Sequence, residues 1–295
     1  MTAVSGAPRV VLSVSAPRTS REALRHLRRR PVVLGAALVL ASFVILALAA
    51  PVLAPYDPSV LIPGAVLHPP SRAFPLGTDE LGRDVLSRVI HGARISLRIG
   101  LVTIGIAVVL GTLIGLLAGF YAGLLDGVLM AVMEILLAFP QILLAMAILA
   151  MLGPSLTNAM IAVGLSAVPV YARTARGATL GVRAMDYVEA ARAMGAGDGR
   201  ILARHVLPNM ISPIVVLATA GVGIAILIAA GLSYLGLGAQ PPTPEWGAML
   251  SGARSYLRSA WWMATYPGLA ITLVVISLNL CGDWLRDLLD PRMRT

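Results

Sequence analysis

Chemistry needs reactive groups that can meet, and in this 295-residue chain few can. The four histidines, His26, His68, His91 and His205, fall outside or at the edges of apolar runs. No Gly-x-Ser-x-Gly occurs, so no nucleophile–base pair presents itself. The single cysteine, Cys281, lies in the last apolar run and reads as a small packed hydrophobe. All 23 basic residues are arginine, and no lysine occurs anywhere. A P-loop needs a lysine on the β- and γ-phosphates, so ATP is not held here by that device. Glu134 is the one acid deep in an apolar run. An intramembrane carboxylate is a functional candidate, or it caps a polar contact between helices; both readings stand.

A second constellation is polar rather than reactive. "EAARAMGAGDGRILARHVLPN", residues 189–209, lies between apolar runs yet reads as a soluble helical hairpin. Asp186 three residues before Glu189 resembles a capping box. Helix formers run to Met194, and Gly195 can take the left-handed conformation that ends a helix. Asp198 can cap a second short helix, expected to stop near Leu207 because Pro208 follows. Two helices of roughly two turns each are marginal alone. The Ala190, Ala191 and Ala193 face, with Ile201, Val206 and Leu207, offers contacts to a soluble partner. A hairpin lying on the membrane surface, held by arginine–phosphate contacts, is the alternative.

The elements that must position these residues are membrane helices. The chain is 58% hydrophobic and 13% charged, with mean hydropathy +0.85, too greasy for a soluble domain of this length. Few aromatics and no strand-length alternation favour helices over a β-barrel. The net charge of +9 sits in arginines flanking the apolar runs, which orients a chain in a bilayer and gives no reason to invoke nucleic acid. Residues 1–30 form a basic tail, and Pro31–Ala54 a first span. Ala47-Leu48-Ala49 resembles a processing site, but the run is too long for a signal peptide, so a retained helix with a cytoplasmic N-terminus is expected. Residues 55–95 form a Pro-rich extracytoplasmic link, with an interfacial helix expected over 78–90. Residues 96–282 hold five more spans: Leu97–Tyr121, Gly127–Leu152, Leu156–Tyr171, Asn209–Leu237 and Thr265–Leu280.

Six crossings put the 172–208 loop and the 283–295 tail in the cytoplasm. The loop agrees, its arginines outnumbering Asp186, Glu189 and Asp198. Arg72, Arg83, Arg88, Arg94 and Arg98 disagree, since they fall on the outer side. Gly111, Gly115, Gly119 and Gly123 recur every four residues, a stripe that lets helices approach closely. "QPPTPEW" breaks the fifth helix and is expected to put Trp246 near headgroup level.

Glu189-Ala190-Ala191, Gly195, and Leu207-Pro208 resemble the EAA loop of ABC importer permeases, EAA-x3-G-x9-I-x-LP, with His205 where the pattern has isoleucine. "PLGTDELGRDVLSRVIHGARISL" (75–97), "GLSYLGLGAQPPTPEWGAML" (231–250) and "GDWLRDLLDPRMR" (282–294) are similar to signatures of the C-type subunit of dipeptide/oligopeptide permeases. The resemblance implies an all-α membrane protein of six helices with the type I ABC importer permease fold. It implies a second, homologous permease, two ATP-binding subunits that bind ATP and magnesium, and an external binding protein delivering peptide. No cofactor or metal is implied for this chain itself. The loop becomes a coupling element: Glu189 and Arg192 shape it or touch the ATPase, Gly195 sets its turn, and Ala190 and Ala191 fit the cleft. Nickel and glutathione permeases share these motifs. A secondary transporter, the competing class, usually places several ionisable groups at mid-membrane, whereas Glu134 stands alone.

Overall fold

The computed structural model describes residues 30–289. Two helices, α1 (Pro31–Leu48) and α2 (Ala50–Leu53), lead into an irregular segment that ends at Asp84. Helix α3 (Val85–Tyr121) follows, then α4 (Gly123–Leu137), α5 (Gln141–Leu152), α6 (Leu156–Arg183) and α7 (Asp186–Ala193). A single turn, α8 (Asp198–Ile201), passes through a π turn at Leu202–Val206 into α9 (Leu207–Tyr234). Helices α10 (Trp246–Ala253) and α11 (Trp262–Leu289) are the last of the described residues' helices. Among the described residues the sole extended pairing is an isolated bridge between Thr78 and Asp84.

Among the described residues, four helical stretches are long and apolar enough to cross a membrane: Pro31–Leu48, Val85–Tyr121, Asp198–Tyr234 and Trp262–Leu288. The expected third span is broken; α4 and α5 meet at 96° and make a fifth crossing if they act as one. Pro140 explains the break, since its ring cannot continue α4. The expected fourth span, 156–171, is the first part of a 28-residue helix that runs through Pro169 to Arg183. Among the described residues the apolar helices thus mark four crossings, or five with the bent pair, and the remaining expected span, on α6, falls short of that apolarity. Helix α6 is less greasy because much of it faces protein instead of lipid, so it can carry Arg173, Arg176 and Arg183. The last helix also outruns its expected end at Leu280 and continues to Leu289, into the segment read as tail.

Helices α3 and α6 make the most extensive contact in the chain. Gly111, Gly115 and Gly119 face α6 at Tyr171, Ala172, Ala175, Arg176 and Thr179, so close that an added Cβ on Gly115 would lie 2.6 Å from the Ala175 Cβ and 2.7 Å from the Arg176 nitrogen. Gly123 leaves the stripe. The helix ends at Tyr121, and Gly123 sits beyond the break with open space around it. Arg176 then holds Asp126 with two bonds, at 2.5 and 2.6 Å, tying the first turn of α4 to α6.

One end of the bundle carries a cap made from residues 55–84 and 235–261. The interfacial helix expected over 78–90 begins only at Val85, where the Asp84 carboxylate accepts the Ser87 backbone N–H. Residues 78–84 instead form a loop closed by Asp79, whose Oδ1 accepts the backbone N–H groups of Leu81 and Arg83. Trp246 is fully buried, and its indole N–H donates to the Val89 carbonyl at 3.1 Å. The indole thus faces the protein and is not offered to lipid headgroups. Its indole proton is satisfied inside the protein, so water is not needed for it. Trp262 repeats the device, donating to the Thr78 carbonyl at 2.9 Å. Glu245 is also buried; both its oxygens accept backbone N–H groups, from Gly247 and Ala248, and burial raises its pKa against those donors.

Burial also resolves two of the five arginines that break the charge rule, while Arg72, Arg94 and Arg98 stay exposed. Arg83 and Arg88 are buried and ion-paired around Asp79, so they carry no free charge to orient the chain. At the opposite end Arg30 reaches Asp287 at 2.6 Å, which places the start of α1 and the end of α11 on one side.

Candidate functional site: the polar hairpin at residues 186–207

The hairpin is built at the end of α6, away from the cap. Helix α7 starts one residue earlier than the capping-box reading requires. Met185 is the N-cap and Asp186 the first helical residue, and no side chain caps the end. Asp186 and Glu189 lie instead in the first turn, where carboxylates favour the helix dipole by about 0.3–1 kcal/mol. The same correction applies to Asp198, which follows an N-cap at Gly197 and makes no cap bond.

The turn itself is as expected. Gly195 has φ +81°, its N–H bonds to the Arg192 carbonyl, and the Ala196 N–H reaches back to Ala191. This pair of bonds is a Schellman ending, which stops α7 after two turns and reverses the chain. The second arm departs from expectation. Pro208 does not stop it. The Leu207 N–H bonds to Leu202 across the π turn, and the chain runs straight into α9. A widened turn removes the register in which the proline ring meets the carbonyl four residues before it. The hairpin is thus continuous with a long helix at each end, with only Ala184 and Met185 between α6 and α7.

Packing decides which face is free. Val188, Ala191, Ile201 and Val206 are buried against Leu116 and Phe120 of α3, Ala175 of α6, and Met210 and Ile214 of α9. Ala191, Ile201 and Val206 are therefore unavailable to a partner; they seat the hairpin on its own bundle. Arg192 places its guanidinium over the Phe120 ring, 5.7 Å from the centroid, so it too shapes the seat. Left outward are Glu189, Ala190, Ala193 and two residues that sequence reasoning missed, Tyr187 (43% exposed) and Met194 (83% exposed). Tyr187 stands beside His205, ring centroids 6.3 Å apart, and burial raises its phenol pKa. The signal was present: positions 187, 190 and 194 follow the spacing of one helix face. Leu207 is half-buried and Pro208 exposed at the start of α9, on the scaffold instead of the tip. Glu134 is elsewhere, exposed on α4.

Two long helices enter a short, seated hairpin whose outer face is apolar at its centre and charged at its edge. A Gly195→Val substitution tests the turn. Nothing lies within 4 Å of the missing Cβ, so the whole effect is backbone strain at φ +81°, about 1–3 kcal/mol for a β-branched residue. Under the coupling role that the resemblance implies, the variant is expected at normal abundance in membranes, with partner ATPase hydrolysis no longer stimulated by substrate. Gly195→Ala is expected to be milder. Wild-type coupling in the valine variant, measured as stimulated hydrolysis in proteoliposomes, would show that the turn transmits nothing.

Comparison with known proteins agrees with this architecture. Residues 111–295 match the family model described as binding-protein-dependent transport system inner membrane component, and residues 19–70 match the N-terminal TM domain of oligopeptide transport permease C. The chain is 47% identical to the di/tripeptide transport system permease protein DppC of Pseudomonas aeruginosa (strain UCBPP-PA14), covering 100% of this chain and 99% of that one. It is 46% identical to the glutathione transport system permease protein GsiD of Escherichia coli O1:K1 / APEC, covering 92% and 89%. The solved MetNI methionine ABC transporter shares the fold at a TM-score of 0.55 and 22% identity, covering 68% of this chain and 96% of that one. By these matches, over its whole length, the chain belongs to the binding-protein-dependent inner-membrane permeases of ABC importers, as a C-type subunit of the dipeptide/oligopeptide branch.

Proposed function

We propose that this chain forms half of the pathway of an ATP-driven importer for di- or oligopeptides, delivered to the cap by an external binding protein. The hairpin and both chain ends then lie in the cytoplasm, and the cap faces outward. A second, homologous permease completes the pathway, and two ATP-binding subunits receive the hairpins. The observation that carries this reading is the hairpin itself, seated by Val188, Ala191, Ile201 and Val206 while Tyr187, Ala190 and Met194 stay bare. Exposed apolar groups between charged ones mark an interaction surface.

This chain is the non-catalytic subunit; hydrolysis belongs to its ATPase partners. Glu134 fits a pathway or permease–permease contact. It is exposed on α4, about 100° round the helix from buried Met133, and a carboxylate bare in lipid is costly. Glutathione, itself a short peptide, is a second cargo reading favoured by the 46% identity to a glutathione permease.

Reconstitution tests the assignment. The purified chain is expected to hydrolyse no ATP. With a second permease, ATPase subunits and binding protein in proteoliposomes, labelled dipeptide should accumulate, and competition with unlabelled glutathione separates the two cargoes. Uptake that proceeds equally well without the binding protein would remove the importer reading.

A further inference from the structure

A cavity of about 310 Å³ opens in the cap, and its lining includes Asp79, Glu80, Arg83, Arg88, Ser251 and Gly252. The charged wall is a network. Asp79 Oδ2 lies 2.6 Å from Arg83 Nε and 3.5 Å from Arg88 Nε. Glu80 Oε1 lies 3.3 Å from Arg83 Nη2. Arg88 Nη1 donates to the carbonyls of Pro58 and Pro242 at 3.0 and 3.3 Å. Stapling the cap accounts for these bonds, but not for what is left over. Among the described residues, Glu80 Oε2, Arg83 Nη1 and Arg88 Nη2 make no hydrogen bond, and Glu80 is the most exposed of the four side chains, at 24%.

The charge balance selects the ligand. Two carboxylates and two guanidiniums sum to zero, so a lone anion or cation gains from one pair and is repelled by the other. A dipolar molecule gains from both, its cationic end at Glu80 and its anionic end at the free guanidinium edges. The volume equals that of about ten waters at roughly 30 Å³ each, and so admits a ligand of about that many non-hydrogen atoms. That is the size of a dipeptide, and it sits at the small end of ligand pockets, roughly 300–1,000 Å³.

We propose that this cavity binds a short zwitterionic peptide, ammonium against Glu80 and carboxylate against Arg83 and Arg88, as a site on the permease separate from the binding protein. The proposal rests on the peptide reading above. It is a handover site at the mouth of the pathway, so affinity is weak and release easy.

The test uses the assembled transporter in nanodiscs without its binding protein, and alanyl-alanine as probe, followed by ligand-observed NMR titration. Wild type is expected to bind it, and Glu80→Gln to bind about tenfold more weakly. N-acetyl-alanyl-alanine, which lacks the ammonium, should bind wild type as poorly as the free peptide binds Glu80→Gln. Gly252→Leu is the second variant. Glu80 Oε1, 3.4 Å away, is the nearest group to an added Cβ, so the change fills the cavity while keeping every charge; it too should lose binding at normal abundance. Equal binding of free and acetylated peptide would overturn the proposal. So would unaltered peptide binding in both variants with weaker docking of the binding protein, which would make the cavity a protein socket. A wild-type complex that imports alanyl-alanine with its binding protein yet binds none without it sinks this site and leaves the importer reading intact. Import of no peptide at all would sink that reading as well.

Discussion

Gly115→Val is expected to remove the chain from the membrane, to below about a tenth of wild-type abundance. A Cβ at this position already meets the Ala172 carbonyl, the Ala175 methyl and the Arg176 nitrogen. Two of these are backbone atoms of α6, which can move only if the helix moves. Overpacking a well-filled site costs about 1–3 kcal/mol when side chains can yield. Here they cannot, and the pair being separated is the most extensive in the chain. The loss therefore consumes a large part of a stability that is ~5–15 kcal/mol for a typical domain. It also dislodges the hairpin, since Phe120 and Ala175 form part of its seat. Gly105→Val on the same helix is the control, because nothing lies within 4 Å of its missing Cβ. Quantifying the chain in membrane fractions, with thermal melting of what survives, decides the matter. If Gly115→Val and Gly105→Val accumulate and melt alike, close α3–α6 packing does not hold this fold.

The second large effect is expected from Tyr187→Asp combined with Met194→Asp. Both side chains lie on the outer face of α7, while Val188 and Ala191 hold the inner face. The double variant should insert, fold and keep the Arg192–Phe120 contact, because none of the buried positions changes. Docking should fail. Central aromatic positions in an interface are commonly worth 2 kcal/mol or more each, and a carboxylate buried there without a partner adds its own penalty. A loss of about 100-fold in affinity for the ATPase subunits corresponds to ~3 kcal/mol. Co-purification and titration of ATPase stimulation measure it. Retention of the ATPase at wild-type strength would mean that the partner grips the hairpin elsewhere, with Glu189 or Ala190 the next positions to change.

The first variant disturbs the bundle that seats the hairpin and the second changes its outer face, and the sequence separated the seated from the outer residues poorly. The EAA-like spacing located the hairpin and Gly195 its turn, because a left-handed residue at a helix end is a local property. It did not show that Ala191, Ile201 and Val206 point home. An alanine face looks the same whether it meets its own bundle or a partner, and only the position of Phe120, some 70 residues away in sequence, settles the matter. Pro208 misled for a related reason. Local rules end a helix there, yet the π turn at Leu202–Val206 absorbs the proline and lets α9 start in line.

What the sequence determined by itself is what short windows hold: apolar length, arginine without lysine, a glycine every fourth residue, and the motifs that name the family. Each follows from one side chain or a few neighbours in contact with lipid, water or their own backbone. Only the tertiary structure decided which charges are spent. Arg83 and Arg88 look like free cations in the sequence and are neutralised around Asp79; Trp246 looks interfacial and is buried on the Val89 carbonyl; Glu80 looks like any loop acid and faces a cavity. The physical reason is common to all three. A charge or an indole proton is settled by whichever partner lies within about 3 Å, and in a bundle that partner comes from another helix or from a loop the fold has brought back.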